Sequence, residues 1–144
     1  MKHRIYLSLG TNMGDRMSNI NRAIELLSSR LSDSYLSLSS IIESNSWGFE
    51  GNDFLNCVIS YETELEPLEL LSLCKEIEVE MGRTERIEYG PDGKRIYHDR
   101  PIDIDILLYD DLSVNLPELT IPHPLIEQRD FIKGPLMEIL EGNN

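Results

Sequence analysis

Residues 100–109 read Arg-Pro-Ile-Asp-Ile-Asp-Ile-Leu-Leu-Tyr, and their types and spacing suit metal-assisted phosphate chemistry. Strict alternation through Ile102, Asp103, Ile104, Asp105 and Ile106 predicts a β-strand with both carboxylates on one face and the isoleucines on the other. Asp103 and Asp105 then stand roughly 6.6 Å apart along the strand. Two carboxylates at that separation repel, so a pair held there needs a compensating cation. Magnesium suits, because it takes one or two protein carboxylates, keeps several waters and completes its octahedron with substrate phosphates. An edge strand with a wet polar face would show the same alternation. The continuous apolar run Ile106-Leu107-Leu108 weighs against that reading, since it predicts a strand buried on both faces further along.

Anion-binding groups are the natural complement of such a pair. Five of the thirteen cations fall between positions 83 and 100: Arg83, Arg86, Lys94, Arg95 and Arg100. A solvated loop could carry that run, but its concentration against an acidic background suits an anion site. His123, between Pro122 and Pro124, either packs in a turn or, with Arg129 six residues on, contacts phosphate. The common nucleotide fingerprints are missing: Gly10 and Gly14 do not fit the Rossmann spacing, and Gly90-Pro-Asp-Gly93-Lys94 lacks the spacing of a Walker loop. Phosphoryl chemistry here must rest on aspartates, metals and arginines.

Aromatic residues near loops supply a second theme. Trp47, Phe49 and Phe54 surround the glycine-rich segment 47–53, and Phe131 follows Arg129 closely. Such rings serve a core, or they sandwich a planar heterocycle by offset stacking. Asn56, two residues after Phe54 and on the same strand face, offers a heterocycle's edge both a donor and an acceptor.

The elements that must position these groups follow from periodicity. Residues 5–9 form a short apolar strand leading into Gly10-Thr11-Asn12-Met13-Gly14-Asp15. Met17, Ile20, Ile24, Leu27 and Leu31 recur at helical spacing. Leu36, Leu38, Ile41 and Ile42 predict a second strand running to Ser46, and alternation over 55–65 predicts a third. A second helix opens near Pro67, turns Leu70, Leu71, Cys74, Ile77 and Met81 to one face and stops at Gly82. Residues 83–99 lack periodicity, as expected of a lid. The aspartate strand follows, then Pro-punctuated sequence and a short helix over 135–140. This order predicts an α+β fold with a ferredoxin-like βαββαβ core, an antiparallel sheet with helices packed on it.

Composition sets the outer limits. At 144 residues, with 40% hydrophobic and 27% charged residues, the chain is expected to be one globular domain, 1–144. A net charge of −13 argues against a general nucleic-acid or anionic-membrane binder. Cys57 and Cys74 fall inside apolar periodic segments and read as buried small hydrophobes in a reducing compartment. The apolar stretch near the start is too short for a signal-peptide core or a membrane span, so the expected location is cytoplasmic. Nothing demands a protein partner, and a monomer is expected.

Several blocks, in order, resemble the 6-hydroxymethyl-7,8-dihydropterin pyrophosphokinases of folate biosynthesis. They are Gly10-Thr11-Asn12-Met13-Gly14-Asp15; Trp47-Gly48 followed by Asp53-Phe54-Leu55-Asn56; Glu78 with Gly82-Arg83; Arg100-Pro-Ile-Asp103-Ile-Asp105; and Pro122-His123-Pro124 followed by Arg129-Asp130-Phe131. The resemblance implies a ferredoxin-like fold and transfer of the pyrophosphoryl group of ATP to the pterin's hydroxymethyl oxygen, releasing AMP. It implies that Asp103 and Asp105 hold two magnesium ions, and that Arg83, Arg100, His123 and Arg129 neutralise the triphosphate. Phe54 and Phe131 would stack the pterin, with Asn56 and the backbone from Ser44 to Trp47 reading its edge. Lys75 and Glu78 would lie beside the nucleotide, and Ile106 and Thr120 near the adenosine. The family often has an arginine where this chain has Glu85, and its lid differs from Ile96-Tyr97-His98-Asp99, so Arg86, Lys94 and Arg95 are unranked candidates for lid cations.

Two other classes use the same residues: a metal-dependent phosphohydrolase with water as acceptor, and a non-catalytic ferredoxin-like module binding a small effector. An aromatic pocket beside the aspartates favours an organic acceptor over water. The aspartate pair disfavours a mere binding module.

Overall fold

β1 (His3–Thr11) is buried from Ile5 onward because it lies in the middle of the sheet. The structure, a computed structural model, describes residues 2–31, 34–44, 53–82, 88–89, 91, 95–96 and 101–142. α1 (Arg16–Arg30) follows, capped by Asp15, whose side chain accepts the Ser18 N–H at 3.0 Å. Its buried face is Ile20, Ala23, Leu26 and Leu27, with Ile24 and Leu31 partly buried beside them. Met17, expected on that face, is instead exposed in the first turn.

The expected second strand is broken in two, β2 (Ser37–Leu38) and β3 (Ile42–Ser44), and both pair antiparallel with β4 (Phe54–Thr63). Ser39 causes the break. Its N–H donates to Val58 O at 2.9 Å, but its hydroxyl, not a carbonyl, accepts the Val58 N–H at 2.8 Å. Ser40 turns away, its N–H and hydroxyl both held by the Glu138 carboxylate.

α2 (Pro67–Glu80) has Pro67 in its first turn and ends at Met81, with Gly82 at φ +103, a conformation that favours glycine. Within 83–99 the backbone forms a small ladder, β5 (Glu88–Tyr89) with β6 (Arg95–Ile96), where no periodicity was visible. β7 (Asp103–Tyr109) is the aspartate strand and pairs antiparallel with β1. The Pro-punctuated stretch after it contains a hairpin, β8 (Val114–Leu116) with β9 (Leu119–Ile121).

α3 (Asp130–Gly142) begins five residues before its expected start, with Pro135 inside it. An interior proline costs a helix about 3 kcal/mol. Burial of Ile132, Leu136 and Ile139, spaced four and three apart, outweighs that at roughly 1.5–3 kcal/mol each.

The sheet order β2-β4-β1-β7, with neighbours antiparallel, is that of a ferredoxin-like α+β fold. One face carries Ile5, Leu7, Leu9, Cys57, Ile59, Ile104 and Ile106 into the larger core under α1 and α2. The other carries Tyr6, Val58 and Leu107 into a smaller core under α3. A register shift of β7 opposite Tyr6/Leu7 accompanies burial on both faces there, as the run Ile106-Leu107-Leu108 predicts. Both cysteines are free and buried. Burial pushes the Cys57 thiol up to about 12 and the Cys74 thiol higher still, so neither ionises near neutrality.

Candidate active site

On the α3 face, β1 steps down in size from Tyr6 to Ser8 to Gly10. Tyr6 is under α3, whereas Gly10 sits in register between Asn56 of β4 and Asp103 of β7. Ser8 sits between Val58 and Asp105 in the same way. The result is a trough over Gly10, walled by β4 on one side and the aspartates on the other. A Cβ added at Gly10 would meet Asn56 Oδ1 at 3.1 Å and Phe54 Cδ1 at 3.6 Å, so a side chain there would fill the trough. The sequence reading gave Gly10 no role of its own. Its signal was present, since a glycine closing an apolar strand marks a close approach.

The β4 wall is organised by polar pairing. Ser44 lies opposite Phe54, and Asn56 Nδ2 donates to Ser44 Oγ at 2.7 Å. Asn56 is buried, and its amide is oriented by Ser44 with the carbonyl oxygen toward Gly10. Phe54, half-buried at the head of β4, stands on the same face. Phe131, in the first turn of α3, packs against the smaller core, and the Arg129 guanidinium lies 5.7 Å from its ring centroid.

The β7 wall carries Asp103 and Asp105, both half-buried, while Ile102, Ile104 and Ile106 are buried in the larger core as the alternation required. Among the described residues β7 is an edge strand, and two groups cover its outer side. The Ile104 N–H, between the aspartates in sequence, donates to Glu78 Oε2 of α2 at 2.8 Å, and Glu78 is only 3% exposed. Further along, the His123 N–H donates to Leu107 O at 3.0 Å.

These bonds fix where the α2 carboxylate and the proline-flanked histidine must sit. His123 Nδ1 accepts the Leu125 N–H at 3.1 Å, which leaves the ring proton on Nε2. Burial, and secondarily the Arg129 charge, push the His123 pKa below its ordinary value, against an opposing pull from Asp103. Without phosphate present His123 is therefore a neutral Nε2–H donor at pH 7, not a cation.

The remaining expected site residues are placed less centrally. The Ile106 side chain belongs to the larger core at 4% exposure, so a nucleotide contact there falls to its backbone on the strand edge. Thr120 is exposed on β9, which touches β7. Lys75 is exposed on α2, one turn before Glu78. Trp47, Phe49, Arg83, Arg86, Lys94 and Arg100 lie outside the described residues, as do the Arg95 side chain and most of the expected lid over 83–99.

The trough thus joins a ring-and-amide wall to a carboxylate wall. Residues 6–141 match the 7,8-dihydro-6-hydroxymethylpterin-pyrophosphokinase family. The chain belongs to this family. It is 45% identical over 137 residues to the 2-amino-4-hydroxy-6-hydroxymethyldihydropteridine pyrophosphokinase of Porphyromonas gingivalis, covering 94% of this chain and 89% of that one. The enzyme of the same name from Aquifex aeolicus is 46% identical over 136 residues, with 94% and 79% covered. That from Bacillus subtilis is 36% identical over 142 residues, with 98% and 80% covered. As a member of the pyrophosphokinase family, the chain transfers pyrophosphate from ATP to hydroxymethyldihydropterin in folate biosynthesis.

Proposed function

We propose that this transfer takes place in the trough over Gly10, with the pterin lying across β1 from Asn56 toward Asp103 and Asp105, and with magnesium held by the two aspartates. The observation that carries this reading is the register. One glycine without a side chain separates a buried amide from a carboxylate pair on the same sheet face. Asn56 and Ser44 would read the edge of the heterocycle, and Phe54 and Phe131 would hold its faces. The hydroxymethyl arm is then directed at the aspartate wall.

The donor chemistry fits magnesium. Asp103 and Asp105 offer hard carboxylate oxygens from one rigid strand, the number of protein ligands this ion takes when phosphates and water complete its shell. Asp103 and Asp105 would hold the two magnesium ions, whose positive charge would stabilise the triphosphate and favour ionisation of the acceptor hydroxyl. The chain's own residues do the rest. The β1–β7 ladder and the Glu78 bond keep the carboxylates in place before substrate arrives. Arg129, with Arg83 and Arg100, would offset triphosphate charge, and His123 would donate Nε2–H to a phosphate oxygen. The hydroxymethyl oxygen gives up its proton, which is released to water with the products, and forms a bond to the β-phosphorus. The bond from that phosphorus to the oxygen shared with the α-phosphate breaks, and AMP leaves with that oxygen. Residues 83–99 would close over both substrates and exclude water that would otherwise hydrolyse ATP. We further propose that Lys75, Thr120 and the Ile106 backbone lie along the nucleotide, and that a single cytoplasmic monomer suffices.

Incubation with ATP and magnesium, with and without the pterin, tests the reading. AMP should appear only when both magnesium and pterin are present. Pterin-independent release of phosphate or AMP would mean a hydrolase instead. At the β4 wall, Phe54→Ala and Phe131→Ala should each weaken pterin binding by roughly 0.5–1.5 kcal/mol of stacking plus lost burial. ATP affinity should hardly change in either variant. Titration calorimetry checks this; a lowered Tm with unchanged pterin affinity would make both rings core residues only.

A further inference from the structure

Arg16, which the mechanism leaves unused, is the first residue of α1. Its Nη1 donates to the Asp53 carbonyl at 2.9 Å, and its Nη2 lies 3.9 Å from Glu43 Oε1. Asp53 immediately precedes Phe54 and Glu43 immediately precedes Ser44, and Phe54 and Ser44 are partners across the β3–β4 ladder. One guanidinium therefore reaches both strand ends that carry the pterin-facing residues. Its own footing is fixed. Asn19 Nδ2 donates to Thr11 Oγ1 at 3.1 Å and to Met13 O at 2.8 Å, tying the β1–α1 turn to the helix that bears Arg16.

Between turn and strand ends is a cleft of about 410 Å³ lined by Asn12, Gly14, Arg16, Glu43 and Asp53. Among the described residues no apolar side chain lines it, and the Arg16 side chain supplies a polar tie across it. The pair with Glu43 is exposed and contributes little. The charge-assisted bond to the Asp53 carbonyl is the stronger element.

We propose that Arg16 is a positioning residue for the pterin: it ties the end of β3 and the head of β4 to the β1–α1 turn and so sets the gap between Phe54 and Gly10. The proposal rests on the reading of Phe54, Ser44 and Asn56 as the pterin wall. Phosphates are handled on the opposite wall, so the tie should affect one substrate and not the other.

Steady-state kinetics of the full chain test this. Arg16→Met, which keeps the apolar stem and removes the fork, should raise the KM for the pterin about tenfold. It should leave kcat and the KM for ATP within about twofold. Arg16→Lys should recover part of the loss, because an ammonium can still donate to the Asp53 carbonyl. In a Phe54→Ala background Arg16→Met should add little, since the ring it positions is gone. A purely structural role would instead give additive losses and raise both KM values, and that outcome overturns the proposal. If Arg16→Met does not fold, Arg16→Lys in the same cycle decides by the same criterion. Should Phe54→Ala weaken the pterin while Arg16 variants do not, only the tie falls. Should Phe54→Ala itself leave the pterin untouched, the pterin wall is misplaced and the tie falls with it.

Discussion

Asp105→Asn is expected to cut pyrophosphoryl transfer at least about a thousandfold, roughly 4 kcal/mol of transition-state stabilisation, while the protein still folds. The fold should survive because β7 is held by its ladder to β1 and by buried Ile104 and Ile106, none of which involves the carboxylate. Activity should not survive on the proposed mechanism, because the substitution removes a charge from the pair that would hold magnesium beside the triphosphate. The amide is nearly isosteric, so the loss reports charge and ligation and not shape. Asp103→Asn should behave likewise, with weaker magnesium binding visible by calorimetry. AMP production near the wild-type rate at saturating magnesium would remove the aspartates from the mechanism.

Glu78 should give the largest effect of any residue that faces away from the trough. Its buried carboxylate accepts the Ile104 N–H on the open side of an edge strand. Glu78→Leu strands that donor without an acceptor at a cost of about 1–3 kcal/mol. The lost anchor lies between the two aspartates in sequence, so kcat should fall as well as Tm. Glu78→Gln keeps an acceptor oxygen and should recover most of the stability. Parallel denaturant unfolding and AMP assays of the two variants check this. Equal stability of the leucine variant and the wild type would mean that the edge donor is satisfied some other way.

The aspartate strand was legible because its alternation and its burial serve one geometry: Ile102, Ile104 and Ile106 face the larger core, so Asp103 and Asp105 cannot. The second helix was legible because Pro67 and Gly82 punctuate it at positions where only their backbone chemistry matters. The break at Ser39 was not, since a hydroxyl accepting a ladder N–H leaves no trace in hydrophobic period. Pro135 misled for a related reason. Its cost to the helix is local and visible, whereas the burial of Ile132, Leu136 and Ile139 that offsets it depends on the opposing sheet. In the site, residue types pointed to the aspartates, Phe54 and Asn56. The parts played by Gly10, Glu78 and Arg16 depend on which strands are neighbours, and that is a property of topology, not of spacing along the chain.

The central position of β1 has a consequence for when the trough can exist during synthesis. β1 is made first, yet its partners are made much later. The pairing of Gly10 with Asn56 closes a long loop, and that of Gly10 with Asp103 closes one about twice as long. Doubling a loop adds only about 0.6 kcal/mol of closure entropy, but such non-local pairing slows folding. A nascent chain emerging in order exposes the β1–β4 hairpin-like pair with one flank of β1 unsatisfied until β7 leaves the ribosome. The last strand of the sheet to arrive is also the one that bears both aspartates, so completion of the sheet and acquisition of the carboxylate wall are a single event.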